Sequence, residues 1–159
     1  MQFTIAAAAL FGTVALAAPA PQGADVRETL SLQDFSAHKK IVAGTTAAKV
    51  DSVSFQLVGS REEATFGVVC KGAAAAGADE IVYNTTTAYD CNGDKEHNYY
   101  FHVVRVDDKD VFTLRVNREV TSGWGYQSLV EVPTYCHAGG ANSMACAQIG
   151  GEVDIEMRI

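Results

Sequence analysis

The chain is short of basic residues: 12 lysines and arginines stand against 19 aspartates and glutamates in its 159 residues, and the formal net charge is −7. The phosphates of a nucleic acid would be repelled by such a surface, and so would anionic lipid headgroups. Nucleic acid and simple electrostatic attachment to a membrane are therefore excluded. A basic protein is the macromolecular partner that this charge favours.

Catalytic signatures are also absent. The sequence has no G-x-S-x-G, H-E-x-x-H, P-loop or G-x-G-x-x-G motif. His97 and His102 are five residues apart, so on a strand they point to opposite faces and do not share a metal ion. His137 has no local partner. We therefore expect no enzyme, and a hydrolase assembled from residues distant in sequence is the alternative left open.

Beyond the N-terminus, no apolar run approaches the ~20 residues that a membrane-spanning helix needs. The chain is apolar from Ile5 to Leu16 and then reaches the small residues "ALA", a pattern that predicts a secretory signal peptide at residues 1–17. A short, flexible lead-in rich in proline follows at residues 18–27. Residues 28–159 then form a single secreted, extracellular domain, long enough to bury a core.

Cysteine is sparse, and no two cysteines form the C-x-x-C pair typical of zinc and thiol-redox sites. The four lie in the predicted domain: Cys70, Cys91, Cys136 and Cys146. In an oxidising compartment this even number predicts two disulfides. Three connectivities are possible, and pairing sequence neighbours closes the shortest loops, but spacing alone does not choose among them.

Apolar and polar residues alternate along much of the domain, which is typical of half-buried antiparallel strands. Three runs show the pattern clearly: "VSFQLV" at residues 53–58, "VFTLRV" at 111–116 and "EVDIEMRI" at 152–159. We also favour a strand for "TLSLQDFSAH" at 29–38. Many short strands separated by turns predict an all-β fold, either an antiparallel β-barrel or a β-sandwich, stapled by the two disulfides.

Three further stretches separate the predicted strands. "VDDKDV" at residues 106–111 is predicted to be a hairpin turn. "SGWGY" at 122–126 is predicted to be a second turn, which carries two aromatic residues. "KGAAAAGADE" at 71–80 has helix-forming alanines between two glycines and is either one short helical turn or a plain loop.

The first of these turns is a candidate metal site. Asp107, Asp108 and Asp110 place three carboxylates within four residues, and Asp90 or Asp94 from another loop could join them. Carboxylate oxygens are ligands that Ca²⁺ prefers. A solvated hairpin tip without a metal is the alternative, and no other cofactor is expected.

Two other features are candidate sites. Trp124 and Tyr126 flank Gly125 in a predicted turn, where exposed aromatic side chains can anchor a partner; the alternative is that they fold back over a sheet edge. Asn84 begins the sequence "NTT", an acceptor for N-glycosylation in a secreted chain.

The stretches around the cysteines resemble those of a known family. Residues 135–140 read Tyr-Cys-His-Ala-Gly-Gly, and a second cysteine and an alternating strand follow them. Residues 89–91 read Tyr-Asp-Cys, and Cys70 follows the run "TFGVV". Together with "SVSFQL" and "LQDFSAHKK" upstream, residues 28–158 resemble the Alternaria major allergen family of small secreted fungal allergens, elicitors and effectors.

The resemblance implies an all-β barrel or sandwich without enzymatic activity, in which Cys70 pairs with Cys91 and Cys136 with Cys146. It also implies a secreted fungal effector or elicitor that binds a plant defence protein, of the thaumatin-like class, and triggers or modulates plant immunity. Carriage of a small aromatic, flavonoid-like ligand is one alternative. Calcium-dependent surface binding is another.

The sequence departs from the family pattern near its N-terminus. Some members have an additional cysteine there that links a dimer, but no cysteine lies between Ala18 and Val69, so we expect a monomer. Lys39-Lys40 is similar to a dibasic processing site. Because the resemblance places this pair inside the fold, we expect no cleavage there.

Overall fold

The computed structural model describes residues 26–61, 64–92, 98–140 and 142–159. The predicted signal peptide at residues 1–17 and the lead-in as far as residue 25 lie outside the described residues, as do Asp94 and His97. The first strand begins at Val26, so residues 26 and 27 belong to that strand.

The described residues form ten strands and no helix, and every strand pairing is antiparallel. The strands are β1 (Val26–Ile41), β2 (Ala48–Arg61), β3 (Ala64–Ala73), β4 (Tyr89–Asn92), β5 (Tyr99–Val106), β6 (Phe112–Thr121), β7 (Trp124–Val132), β8 (Thr134–Ala138), β9 (Ser143–Gln148) and β10 (Val153–Arg158).

Eight of these strands close into a barrel in the order β1-β2-β3-β4-β5-β6-β7-β10, and β10 pairs back with β1. The first part of β1 pairs with β10, whereas residues 36–40 pair with β9. The register of β1 against β2 shifts between Gln33 and Ser36, and Asp34 within this interval has a φ of 53°. This irregularity lets one long strand serve both the barrel and the β8–β9 hairpin beside it.

The barrel interior is filled by apolar side chains. Alternate residues of each strand point inward, because side chains on a strand alternate between its two faces. Four buried phenylalanines form a continuous row: the ring centroids of Phe112 and Phe35 are 4.9 Å apart, those of Phe35 and Phe55 are 6.1 Å apart, and those of Phe55 and Phe101 are 4.8 Å apart. Side chains rather than an open cavity therefore occupy the middle of the barrel.

The all-β prediction is confirmed, and the architecture is a barrel. The three alternating runs fall on β2, β6 and β10, and their apolar residues supply much of the core. Residues 71–73 continue β3 and a loop follows, so the loop alternative was right for most of residues 71–80. Lys39-Lys40 lies within β1, inside the fold.

Each disulfide joins neighbouring strands between residues that stand opposite each other in the register. Cys70–Cys91 joins β3 to β4, and Cys136–Cys146 joins β8 to β9. The pairing implied by the family resemblance is therefore correct. Gly140, in the loop between the second pair of cysteines, has a φ of 117°, a conformation that glycine adopts without steric cost.

Candidate binding surfaces

The β6–β7 hairpin carries the two aromatic residues singled out in the sequence. The prediction of a turn over residues 122–126 was too long, because the turn consists of Ser122 and Gly123 alone and Trp124 already begins β7. Gly123 has a φ of 80°, which tight hairpin turns require. A Cβ at Gly125 would overlap the carbonyl oxygen of Arg118, so glycine is needed there for β6 and β7 to pair closely.

Trp124 and Tyr126 therefore lie on a strand, and because they are two residues apart they share a face. Their rings meet edge to face, with centroids 5.4 Å apart and planes inclined by 68°. Trp124 is 47% exposed, whereas Tyr126 is half-buried against the core. They occupy the same face of β7 as the inward-pointing Val130 and Val132, so they continue the inner face to the hairpin end of the barrel. The pair forms an aromatic surface that is partly open to solvent.

The acidic turn between β5 and β6 is held by its own carboxylates. Asp107 Oδ1 accepts hydrogen bonds from the backbone N–H groups of Lys109 (2.9 Å) and Val111 (2.8 Å). The Asp110 carboxylate pairs with the buried ammonium of Lys39. Asp108 is exposed at the tip. Two of the three candidate calcium ligands are thus already engaged.

Within the described residues, no three His, Cys, Asp or Glu side chains come together as a metal site requires. His102 is buried, and its Nδ1 lies 2.9 Å from the carbonyl oxygen of Thr87, so it donates a hydrogen bond to the loop between β3 and β4. His38 Nδ1 lies 2.8 Å from Asp51 Oδ1. The sequence did not reveal this histidine–carboxylate pair, because the register irregularity between His38 and Lys39 brings the two residues together.

The predicted glycosylation acceptor lies in the loop between β3 and β4. Asn84 Oδ1 accepts hydrogen bonds from the backbone N–H groups of Thr86 (2.9 Å) and Thr87 (2.6 Å), and its Nδ2 donates to Thr87 Oγ1 (3.2 Å). Asn84 is half-buried, and Thr85 and Thr86 are exposed. The side chain thus organises a local turn at the surface.

Tyr83, in the same loop, has a perturbed ionisation. Burial raises the pKa of the Tyr83 phenol well above its ordinary value, and the nearby carboxylate of Glu80 raises it further. Glu80 is itself 3.6 Å from the ammonium of Lys49. Tyr83 packs against the core as a neutral side chain, which is a structural role.

The β8–β9 hairpin presents an exposed aromatic pair that the sequence reasoning missed. Tyr135 is 65% exposed, and its ring stacks on that of His137 with centroids 6.4 Å apart and planes 18° apart. Cys136 between them points to the opposite face and forms the disulfide. The signal was available in the alternation Tyr-Cys-His, because a cysteine that bridges on one face leaves its two neighbours on the other.

These features define the class of protein: a small, disulfide-linked antiparallel β-barrel with aromatic side chains exposed on two hairpins. The fold is shared with a solved structure. The crystal structure of Alternaria alternata allergen Alt a 1 superposes with a TM-score of 0.60 at 20% sequence identity, covering 88% of this chain and 95% of that chain. No helix in the described ranges is long and apolar enough to cross a membrane.

Sequence comparison then gives the family. Residues 32–146 match the family model described as Alternaria alternata allergen 1. The chain is 31% identical over 156 residues to effector protein PevD1 of Verticillium dahliae, with 93% of this chain and 88% of the relative covered. The same figures hold for PevD1 of one named strain of that fungus. The chain belongs to the Alternaria alternata allergen 1 family and is effector-like in sequence, and its disulfides fit an extracellular protein.

Proposed function

We propose that this protein is a secreted fungal effector or elicitor that binds a plant defence protein and thereby triggers or modulates plant immunity. The observation that carries the proposal is its identity to effector protein PevD1, which extends over 93% of the chain rather than one motif. The similarity to PevD1 therefore covers the whole barrel and its surface.

The fold supports action by surface binding. The row of phenylalanines fills the barrel, so a small aromatic ligand has no place in its middle and the interior does not favour carriage. Aromatic side chains are instead exposed to solvent beyond this filled interior, and residues of this kind often dominate protein–protein binding energy. Trp124 and Tyr126 form one such surface.

The partner class that we propose is a thaumatin-like defence protein with a basic surface. The net charge of −7 supports this choice, because opposite charges accelerate encounter and suppress pairing with other acidic proteins. Two disulfides in a domain of this size also suit a protein that must persist among extracellular proteases.

Leaf infiltration tests the proposal directly. The purified chain from Ala18 to Ile159 is infiltrated into leaves of several plant species, beside a reduced and alkylated sample of the same protein. We expect defence signalling or cell death from the folded form alone, because recognition requires a disulfide-held surface. A response to both forms would indicate a linear peptide signal, and silence from both would overturn the proposal.

A pair of variants then tests the aromatic surface. Trp124→Ala removes an exposed aromatic residue from the hairpin, and Leu129→Ala is the matched control, because Leu129 is a 62% exposed residue of the same strand. We expect binding to a purified thaumatin-like protein to weaken by about tenfold for Trp124→Ala and to change little for Leu129→Ala. Equal binding by the two variants would exclude Trp124 from the interface.

A further inference from the structure

Among the strands that the structure describes, β8 has a free edge. In the strand order it stands last and has β9 on one side only, whereas the ends of the barrel are joined by the β10–β1 pairing. A strand in this position presents unpaired N–H and C=O groups on which another extended chain can form hydrogen bonds.

The hydrogen bonds between β8 and β9 show which backbone groups face that edge. Gly139 N–H donates to Ser143 O (2.9 Å), and Ile149 N–H donates to Pro133 O (3.0 Å). Antiparallel ladders alternate between bonded and non-bonded pairs, so the backbone groups of Tyr135 and His137 also face β9. Those of Cys136 and Ala138 point to the other side, where no strand of the described chain accompanies them.

The side chains along this edge are suited to a contact. Tyr135 has the largest exposed fraction among the large apolar residues described, yet it stands on a strand pinned by a disulfide to its neighbour. Its stacking on His137 gives the pair a flat face. A rigid strand with exposed rings loses little conformational entropy when a partner binds.

The charge beside the edge is negative. Thr134 begins β8, and its Oγ1 donates a 2.6 Å hydrogen bond to the carbonyl oxygen of Asp110, so the acidic turn lies against the start of the strand. Asp108 is exposed at the tip of that turn. The exposed carboxylate of Asp108 attracts a cationic segment toward this end of β8. Thr134 and Cys136 share one face of the strand, so a cationic side chain on the opposite face would meet the ring of Tyr135.

We propose that the free edge of β8 is the docking site for one extended segment of a partner protein, which adds a strand beside Cys136 and Ala138 and places an arginine or lysine over the ring of Tyr135. This inference rests on the proposed function and names a second contact, in addition to the Trp124 surface, through which one segment of the host protein is bound. The surface lies at the other end of β6 from Trp124, because β6 runs from the acidic turn to the Ser122–Gly123 turn.

A peptide titration tests the docking site without a plant partner. The folded ¹⁵N-labelled protein, with both disulfides intact, is titrated with a short capped peptide of alternating threonine and arginine. A second peptide has equal charge but contains proline and glycine, so that it cannot form a strand. A third is the first peptide N-methylated at every residue, which removes its donors. We expect only the first to shift the amide resonances of Cys136 and Ala138 and to slow their hydrogen exchange.

Variants of the protein locate the contact. Tyr135→Ala and Ala138→Pro should each weaken binding of the threonine–arginine peptide by about tenfold, the second because proline removes a donor from the free edge but none from the β8–β9 ladder. Leu129→Ala, at an exposed position of β7, should bind as the unaltered protein does. Because the N-methylated peptide needs no variant, the test remains valid if Ala138→Pro fails to fold.

Several outcomes would overturn the inference. Equal binding of the proline-containing peptide would mean that charge alone is recognised. Self-association of the protein through β8, seen as a dimer that Ala138→Pro dissolves, would mean that the edge serves a second copy of the chain. Failure of the peptide to bind, together with an intact leaf response, would remove the docking site and leave the proposed function standing. Peptide binding without any leaf response would leave the strand-binding edge standing and remove the proposed function.

Discussion

Arg118 and Glu28 form an ion pair at one end of the barrel interior, with Nη1 of the arginine 3.0 Å from Oε2 of the glutamate. The side chains are only 14% and 8% exposed, and the guanidinium carbon lies 5.7 Å from the centroid of the Tyr99 ring. The two residues belong to β6 and β1, which are not neighbours in the barrel, so the contact spans its interior.

A second ion pair occupies the opposite end. Lys39 of β1 pairs with Asp110 in the acidic turn, and its ammonium lies 5.8 Å from the centroid of the Phe112 ring. Both cations thus combine a carboxylate with an aromatic face, which compensates for their removal from water. The long strand β1 contributes one member of each pair, and so both contacts help to hold that strand in place.

Breaking the first pair should destabilise the fold strongly. We expect Glu28→Ala to lower the free energy of unfolding by about 3 kcal/mol, because the guanidinium of Arg118 loses its carboxylate in a largely buried position. The double variant Glu28→Leu with Arg118→Leu should recover most of this loss, since no buried charge remains. Urea denaturation followed by circular dichroism measures both effects.

The matched control is the exposed pair of Arg105 and Glu131. Their atoms are 2.9 Å apart, but the side chains are 63% and 61% exposed. Glu131→Ala should therefore cost less than about 1 kcal/mol, because solvent screens the charges. A loss as large as that of Glu28→Ala would show that the position of the pair does not determine its contribution.

The two disulfides should differ in what their removal disturbs. They close loops with sequence separations of 21 and 10, so the loop-entropy model gives each a contribution of about 3 kcal/mol. Cys70–Cys91 joins β3 to the four-residue strand β4 in the barrel wall. Cys136–Cys146 holds a hairpin that lies outside the closed barrel.

We therefore expect replacement of both Cys70 and Cys91 by alanine to raise hydrogen exchange throughout the barrel. Replacement of both Cys136 and Cys146 should raise it mainly in β8 and β9, as local opening of a peripheral unit does. Hydrogen exchange followed by mass spectrometry distinguishes the two patterns. Exchange confined to β8 and β9 in both variants would contradict the role given to the first disulfide.

Calcium should not stabilise the protein, although the spacing of carboxylates permits a site. Asp107 already accepts two backbone N–H groups and Asp110 is paired with Lys39, so a metal would have to displace these contacts. We expect the same Tm in millimolar calcium, the range relevant to extracellular modules, and in a chelator. A rise in Tm with calcium that disappears in Asp108→Asn would restore the metal site.

The sequence predicts the strands of this fold better than it predicts their meeting points. Alternation of apolar and polar residues in 53–57 and 112–116 defines two faces, and burial of the apolar face makes the strand assignment robust. Alternation does not reveal that β1 bends near Asp34, because the irregularity belongs to the pairing with β2 rather than to the residue pattern. The sequence therefore did not predict that β1 pairs with both the barrel and the β8–β9 hairpin.

Contacts between residues distant in sequence were likewise not predictable from the residue pattern. Arg118 and Glu28 are 90 residues apart in sequence, and only closure of the barrel brings them together. The aromatic residues at 124 and 126 were recognised, but the turn was drawn too long because Gly125 was taken for a turn residue. Gly125 instead leaves room for the carbonyl oxygen of Arg118 on the paired strand, because a Cβ at this position would overlap it. The two groups approach each other only in the folded hairpin.

Tyr83 should make the protein sensitive to alkaline pH. Burial and the charge of Glu80 raise the pKa of its phenol in the folded state, whereas an unfolded tyrosine ionises near pH ~10. A folded-state pKa above the unfolded value gives a contribution to stability that is complete below about pH 10 and is lost as the pH rises further. Ionisation therefore favours the unfolded chain in that range.

Tyr83→Phe cannot ionise, so its free energy of unfolding should fall less steeply than that of the unaltered protein above pH ~10. Tyr135→Phe is the control substitution, because it removes a phenol hydroxyl at an exposed position. Urea denaturation at a series of alkaline pH values measures the slopes, and absorbance of the tyrosinate ion reports the ionisation itself. Parallel slopes for Tyr83→Phe and the unaltered protein would show that the phenol ionises as readily folded as unfolded.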